Sequence, residues 1–262
     1  LRYLMFLTKK RCGRIKARLC ADGRKQRETT SKEDASAPTV PIEAVMLSTV
    51  IDAMEERDVA TVDIPGAFMQ ADIDEVVHVE FEGEIAEMLV KLDPKLCRKC
   101  VKDENGKTVL CVELLKALCG ALKAALLFWK LLSKKLVQWG FAINPHDDWC
   151  VANKLIDGKQ CAILWHVDDL KISHVNAKVV TTILNLLDAK YGQESVGGKR
   201  AALTINRGHL HDYLGMTLDY SEPVYAKLNI VYYVNMVLKE MPDNIAVPAT
   251  LPADDYLFII IY

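Results

Sequence analysis

The spacing of hydrophobic and polar positions predicts alternating strands and helices along most of the chain. Charged and apolar residues alternate from Ile15 to Ala21, which predicts a strand that ends at the Asp22–Gly23 turn. Thr39 and Pro41 then open a helix with one buried face. The positions expected on that face are Ile42, Val45, Met46, Thr49, Val50, Ala53 and Met54.

The middle of the chain continues this pattern. Two strands are predicted, Val59–Asp63 and Val76–Phe81. A long amphipathic helix is predicted from Val112 to Trp139, because its lysines recur every seven residues and Gly140 is a common helix terminator. A buried β-hairpin, ILWHVDDLKIS, follows from Ile163.

In the last third of the chain, the spacing predicts another helix, and the elements after it are less clearly patterned. The helix spans Asn176 to Tyr191 and ends at Gly192. Residues 193–202 predict a loop, and residues 210–220 and 223–233 look strand-like before a short helix and a Pro-punctuated linker. This order indicates an α+β fold, an antiparallel sheet with helices packed on one face.

Two adjacent carboxylates, Asp168 and Asp169, lie inside the apolar hairpin. An ionised carboxylate that is removed from water needs a cation or hydrogen-bond donors. Hard divalent cations such as Mg²⁺ prefer carboxylate oxygens. Asp63 closes an earlier strand, so neighbouring strands of one sheet could bring all three carboxylates together. The alternative is a plain hairpin turn, in which short polar side chains bond to their own backbone.

Composition describes a globular protein with an uneven charge distribution. The 262 residues are 51% hydrophobic and 26% charged, with a net charge of -2. Residues 1–33 contain eleven Lys and Arg and three acidic residues, so this segment carries +8 and the remainder -10. A basic segment ahead of an acidic body suits a protein that binds phosphates at one end and metal at the other. A solvated basic tail is the alternative.

The eight cysteines predict a reduced protein, because they are scattered and no secretory signal precedes them. A zinc site built on Cys97 and Cys100, with His78 or Cys111, is an alternative use of two of these cysteines. No stretch predicts a membrane span, since lysines interrupt the most apolar one. The chain begins without Met and ends on LFIIIY, so we expect it to be part of a longer protein.

Five stretches, in order, resemble the reverse transcriptase of copia-type LTR retrotransposons. KARLCADGRKQ from Lys16 resembles the family's basic KARLVAKG segment, and VDIPGAFMQADIDEVVHVEF from Val62 resembles its first catalytic motif. ELLKALCGALKAALLFWKLL from Glu113 resembles the LKKSLYGLKQAPRAWYKKL helix, WHVDDLKIS resembles the LYVDDLLIT hairpin, and HDYLGMTLDYS from His211 resembles the KYFLGIEI strand. The resemblance implies a right-hand polymerase with fingers and palm.

The resemblance implies an RNA-directed DNA polymerase. Asp63, Asp168 and Asp169 would hold two Mg²⁺, or Mn²⁺, with the Ile64 carbonyl as a further ligand. Two metals can stabilise the attacking and the leaving oxygen of a phosphoryl displacement. The implied partners are an RNA or DNA template, a primer and deoxynucleotides, and no membrane.

Several further positions have implied roles. Phe68 corresponds to an aromatic wall beneath the nucleotide sugar, and plain core packing is its alternative. Lys16 and Arg18 would contact the triphosphate or template, and Lys123 would attract nucleotide phosphate. His166 would touch the primer end.

The chain departs from the family at several places without losing a metal ligand. His166 replaces the usual Tyr, Lys123 the usual Gln, and Cys119 the usual aromatic residue. SVGGKRAALTINRG, from Ser195, fits the family less well, so residues 193–207 are atypical. A decayed, inactive remnant that only binds nucleic acid is therefore the alternative function.

The resemblance also implies a domain division. Residues 1–58 would form the basic fingers segment and first helix, and residues 59–240 the palm, with a variable finger-like region at 82–111. Residues 241–262 would be a linker toward a missing C-terminal region. The integrase, RNase H and protease regions of such polyproteins are not expected in this chain. The implied location is the cytoplasm, inside a virus-like particle, or the nucleus.

Overall fold

The computed structural model describes most of the chain. The described residues are 1–9, 15–97, 99–104, 106–145, 150–194 and 200–240. The strands are β1 (Tyr3–Lys9), β2 (Ile15–Ala21), β3 (Asp58–Asp63), β4 (His78–Glu82), β5 (Val101–Glu104), β6 (Lys107–Glu113), β7 (Ala142–Ile143), β8 (Val151–Ile156), β9 (Lys159–His166), β10 (Asp169–His174), β11 (Gln193–Glu194), β12 (Arg200–Ala201), β13 (Thr204–Arg207), β14 (Leu210–Tyr213), β15 (Met216–Asp219) and β16 (Lys227–Asn229). The helices are α1 (Lys32–Ala35), α2 (Ile42–Met54), α3 (Ala67–Gln70), α4 (Glu84–Leu92), α5 (Pro94–Cys97), α6 (Ala124–Gln138), α7 (Ala177–Tyr191) and α8 (Val231–Glu240).

A six-stranded antiparallel sheet forms the centre of the fold. Its strand order is β13-β3-β10-β9-β8-β7. The smaller sheets are the β1-β2 ribbon, the three-stranded sheets β4-β6-β5 and β14-β15-β16, and the short β11-β12 pair. Helices mixed with antiparallel sheets confirm the predicted α+β class. No helix in the described ranges has the length and apolar character needed to cross a membrane.

Helices cover both faces of the central sheet, so the prediction of helices on one face is wrong. Lys171 on β10 donates to Ser48 Oγ of α2 at 2.6 Å, which places α2 on one face. Arg207 on β13 donates to Thr181 Oγ1 of α7 at 2.8 Å. Arg207 pairs in register with Ala60, and Lys171 with Thr61, so the two side chains lie on opposite faces. Strands buried on both faces need a cover on each side.

Helix α2 forms where predicted but buries a different face. Val45, Thr49 and Ala53 are buried as expected. Asp52 joins them, whereas the expected apolar positions Ile42, Met46, Val50 and Met54 are exposed. The reason is the ion pair between Asp52 and Lys171, which turns the side of the helix that carries Asp52 toward the sheet. A pattern of apolar spacing cannot show that a buried cation lies opposite.

The helix predicted from Val112 to Trp139 begins only at Ala124. The preceding residues form strand β6 and then a loop, in which Ala117 N donates to Ala71 O at 2.9 Å. Gly120 has φ +89, a left-handed conformation that glycine adopts without strain. A contact with a distant segment, rather than local spacing, therefore sets the start of α6.

Other boundaries also differ from prediction near the C-terminal end. Residues 193–202, expected as a loop, include β11 and β12, and β13 follows as an edge strand of the central sheet. The strand-like stretch 210–220 is the β14–β15 hairpin. Residues 223–233 include only the three-residue β16 before α8 begins at Val231. Residues 195–199 and 241–262, which include the predicted Pro-rich linker, lie outside the described residues.

Candidate active site

The carboxylates predicted from three separate positions meet at one end of the central sheet. Asp63 is the last residue of β3 and Asp169 the first residue of β10, and the antiparallel register makes them direct partners. Ile64 N donates to the Asp168 carbonyl at 3.1 Å, which ties the two chain segments together beyond the strands. Side chains of directly opposed residues lie on the same face of a sheet. The fold therefore pairs Asp63 with Asp169 and places Asp168 on the adjoining turn.

A two-residue turn presents Asp168 and Asp169 differently. His166 pairs with Asp169 across the β9–β10 hairpin, so Val167 and Asp168 form the turn. Val167 has φ +57, as the first central residue of a type II′ turn requires. A β-branched residue in that region is strained by about 1–3 kcal/mol, a feature found preferentially at functional sites. Asp168 thus lies in the turn, whereas Asp169 lies in the strand.

The carboxylates repel one another. The pKa of Asp169 is raised to about 6, first by burial, then by the negative charges of Asp168 and Asp63, while His166 lowers it. Ionising several carboxylates in one site costs free energy, because their negative charges repel one another. A bound cation would relieve both the burial and the repulsion.

The donor set fits Mg²⁺ better than zinc. Among the residues described, no group of three or more His, Cys, Asp and Glu side chains is close enough to hold a metal ion. This counts against the alternative zinc site at Cys97 and Cys100, which needs four protein ligands. Mg²⁺ usually binds through one or two carboxylates plus substrate phosphates and water. The Asp63–Asp169 pair provides those two carboxylates, so the residues present fit this ion.

The raised pKa of Asp169 predicts a pH-dependent stability. An unfolded aspartate titrates near 3.9, about two units lower, so the folded chain binds more protons between about pH 4 and pH 6. The free energy of unfolding should therefore fall as pH rises through this window when no divalent cation is present. Urea unfolding at a series of pH values checks this. The Asp169→Asn chain should lack this component, and an unchanged slope in that variant would contradict the assignment.

Phe68 follows Asp63 by five residues and lies on the short helix α3. The chain leaves β3 at Asp63 and enters α3 through Gly66, which has φ +58. Phe68 is partly buried and packs against the hydrophobic core. Core packing therefore accounts for the buried part of the Phe68 side chain, and the exposed part is available to contact another molecule.

Arg18 extends the site toward the β1-β2 ribbon. Ala21 N at the end of β2 donates to Cys119 O at 2.7 Å. The charges of Arg18 and Asp168 both act on the Cys119 thiol, which places both side chains near it. Lys16 lies in β2 opposite Thr8, and its side chain lies outside the described residues.

Lys123, expected to attract nucleotide phosphate, already has acidic partners. Its Nζ lies 3.2 Å from Glu75 Oε2 and 3.9 Å from Asp74 Oδ1. These contacts raise the pKa of Lys123, chiefly through the hydrogen bond with Glu75. Any contact of Lys123 with a nucleotide would have to compete with these two carboxylates.

A buried ion pair behind the site was missed by the sequence analysis. Lys171 and Asp52 are in contact, and both side chains are fully buried. Tyr220 donates to Asp52 Oδ2 at 3.5 Å, and Arg57 NH1 lies 3.9 Å from Asp52 Oδ1. Lys171 alternates with Leu170 and Ile172 in an apolar strand, and a lysine there requires a buried partner. Lys171 therefore indicates a buried ion pair from the sequence alone, although it does not identify Asp52 as the partner.

Comparison with known proteins identifies one family. The family model described as "Reverse transcriptase (RNA-dependent DNA polymerase)" matches residues 3–253. No curated protein matches the chain. Among solved structures, the chain is similar to telomerase from Candida albicans, in a complex with a TWJ fragment of telomeric RNA, at 10% identity and a TM-score of 0.39. That match covers 79% of this chain and 37% of the telomerase chain.

Proposed function

Because the chain belongs to the reverse transcriptase family, which is typical of copia-type LTR retrotransposons, we propose that it is an RNA-directed DNA polymerase domain of a retrotransposon polyprotein. The reaction would transfer a deoxynucleotide to a primer 3′-hydroxyl, with release of pyrophosphate. The observation that carries the proposal is the register of Asp63 with Asp169, with Asp168 on the adjoining turn.

The roles proposed for the site residues are those that the family resemblance implies. Asp63, Asp168 and Asp169, with the Ile64 carbonyl, would hold two Mg²⁺, and Mn²⁺ has similar ligand preferences. The bound ions would activate the primer hydroxyl and neutralise charge on the triphosphate. His166, opposite Asp169, would donate a hydrogen bond to primer phosphate. Arg18, with Lys16 and Lys123, would contact triphosphate or template.

The same proposal assigns the parts of the fold. Residues 1–58 would be fingers and the first helix, residues 59–240 the palm around the central sheet, and residues 82–111 a finger-like extension. Residues 241–262 would lead to further polyprotein regions. The partners would be RNA or DNA template, primer and deoxynucleotides, and the site of action a cytoplasmic virus-like particle or the nucleus.

Primer extension tests the proposal. The purified chain should extend a DNA primer on an RNA template when Mg²⁺ and all four deoxynucleotides are present, and a chelator should stop the reaction. A folded chain that binds RNA in a salt-sensitive way without extending primer would instead support the inactive remnant, because phosphate contacts release counterions whether or not chemistry follows.

Phe68 is predicted to select deoxynucleotides over ribonucleotides. A smaller side chain in Phe68→Val would leave room for a 2′-hydroxyl, and contacts of this size change discrimination roughly 10- to 200-fold. The measurement is the ratio of kcat/KM for dCTP and CTP. Met69→Val is the matched control, since Met69 is exposed on the same short helix and should leave the ratio unchanged. Equal ratios in parent and Phe68→Val would assign Phe68 to core packing alone.

A further inference from the structure

Two free cysteines meet beside the candidate active site. Cys20 is buried near the end of β2, and Cys119 is partly exposed in the loop before α6. The two thiols lie close enough for Cys20 to raise the pKa of the Cys119 thiol. The residues are 99 positions apart in sequence, so the fold and not local geometry brings the thiols together.

The backbones around the two cysteines are held in close approach. Ala21 N donates to Cys119 O at 2.7 Å. A Cβ added at Gly120 would lie 2.1 Å from Ala21 O, and one added at Gly23 would lie 2.3 Å from Gly120 O. The two segments therefore touch through glycines that have no room for a side chain. A disulfide needs Cα atoms about 4.4–6.8 Å apart, a spacing that neighbouring hydrogen-bonded backbones provide.

We propose that Cys20 and Cys119 are a site of oxidative modification that closes to a disulfide between β2 and the loop before α6. With hydrogen peroxide as oxidant, the Cys119 thiol first becomes a sulfenic acid, and one water is released as the O–O bond breaks. The Cys20 sulfur then forms the S–S bond and displaces a second water. Each sulfur loses one electron to the peroxide, so two thiols and one peroxide yield one disulfide and two waters.

The groups around Cys119 determine how fast its thiol is oxidised. Burial raises the pKa of the Cys119 thiol, Cys20 raises it further, and Arg18 lowers it. Because the thiolate is the reactive form, oxidation at neutral pH should be slow, and it should become faster as pH rises. Cys119 should react first, because it is the more exposed of the two.

The disulfide would affect the proposed polymerase because of its position. Arg18 and Asp168 both lie near Cys119, so the cross-link would fix the ribbon that carries Arg18 relative to the carboxylates. This consequence, unlike the disulfide itself, rests on the proposed function. We expect oxidation to lower primer extension roughly tenfold or more, since a misplacement of about 1 Å can cost up to about 10²-fold in rate.

Mass spectrometry tests the disulfide independently of activity. Trypsin should release Cys20 in the peptide LCADGR, residues 19–24, and Cys119 in ALCGALK, residues 117–123. After treatment of the folded chain with hydrogen peroxide, the two peptides should appear joined, lighter than their sum by two hydrogens, and dithiothreitol should separate them. The absence of the joined peptide while both thiols become oxidised separately would overturn the proposal.

Activity measurements test the consequence. Extension by the parent chain should fall on oxidation and return with dithiothreitol, whereas the Cys20→Ser chain should keep its rate under the same treatment. Cys100→Ser is the matched control, because Cys100 also neighbours another cysteine. The backbone N of Cys111 donates to the carbonyl oxygen of Cys100 at 3.0 Å. That variant should remain sensitive. Equal loss of activity in Cys20→Ser would overturn the regulatory consequence, and a joined peptide in a chain that never extends primer would reject only the proposed polymerase activity.

Discussion

Asp169→Asn is expected to lower the rate of primer extension by roughly 10³-fold. The substitution removes one of two carboxylates that face each other across β3 and β10 while it leaves the backbone register intact. Metal-ion catalysis contributes several kcal/mol, and each 1.36 kcal/mol corresponds to a factor of ten, so about 4 kcal/mol is at stake. Single-turnover extension of a DNA primer on an RNA template measures the effect.

Asp157→Asn is the matched control for this experiment. Asp157 also lies in a two-residue turn of the central sheet, between β8 and β9, where Ile156 pairs with Lys159. It has φ +52, a conformation that Asn tolerates, so the fold should be unaffected. This variant should extend primer like the parent chain. Full activity in Asp169→Asn would show that this carboxylate does not take part in the chemistry.

Lys171→Met is expected to lower the free energy of unfolding by about 3 kcal/mol, because Asp52 loses the buried cation in contact with it and keeps only the more distant Arg57 and the hydroxyl of Tyr220. Burial lowers the pKa of Lys171, and the charge of Asp52 opposes that shift. Asp52→Leu combined with Lys171→Met should recover most of the lost stability, since apolar replacement of a whole buried pair is often neutral. Urea unfolding of the parent, the two single variants and the double variant measures the coupling.

Lys227→Met provides the comparison for the buried pair. Lys227 and Glu222 form an ion pair, but both side chains are more than half exposed, at 62% and 59%. Exposed ion pairs contribute little to stability, so this variant should unfold like the parent. If Lys171→Met also unfolded like the parent, or if the double variant were no more stable than the single variants, the buried pair would not have the role assigned to it.

Local patterns predicted the elements that depend on nearby residues. Strand β2 and helix α7 occur within a residue of their predicted bounds, because alternation, an N-terminal Asn176 and a terminal Gly192 are local signals. The predicted helix from Val112 failed because Gly120 is held against Ala21 from a remote strand. Such a contact has no signature in the spacing of apolar residues.

The sequence predicted which residues form the candidate site, but not the buried residues behind it. The carboxylate pair in the hairpin and Asp63 at a strand end could be found from the sequence and the family resemblance, and the register of β3 with β10 brings them together. The Lys171–Asp52 pair joins residues 119 positions apart, and neither residue type indicates the other. The exposed face of α2 is a consequence of the same unpredicted pair.

The carboxylate of Asp52 also sets a minimum length for a stable fragment of this protein. It joins α2, β10 and Tyr220, which follows β15, so these segments should open as one cooperative unit. Tyr213 and Leu218 add buried side chains from the same C-terminal strands. A chain truncated before residue 220 would remove a partner of Asp52 and expose the surface beneath β14 and β15. Boundaries for expression and crystallisation should therefore lie beyond this residue.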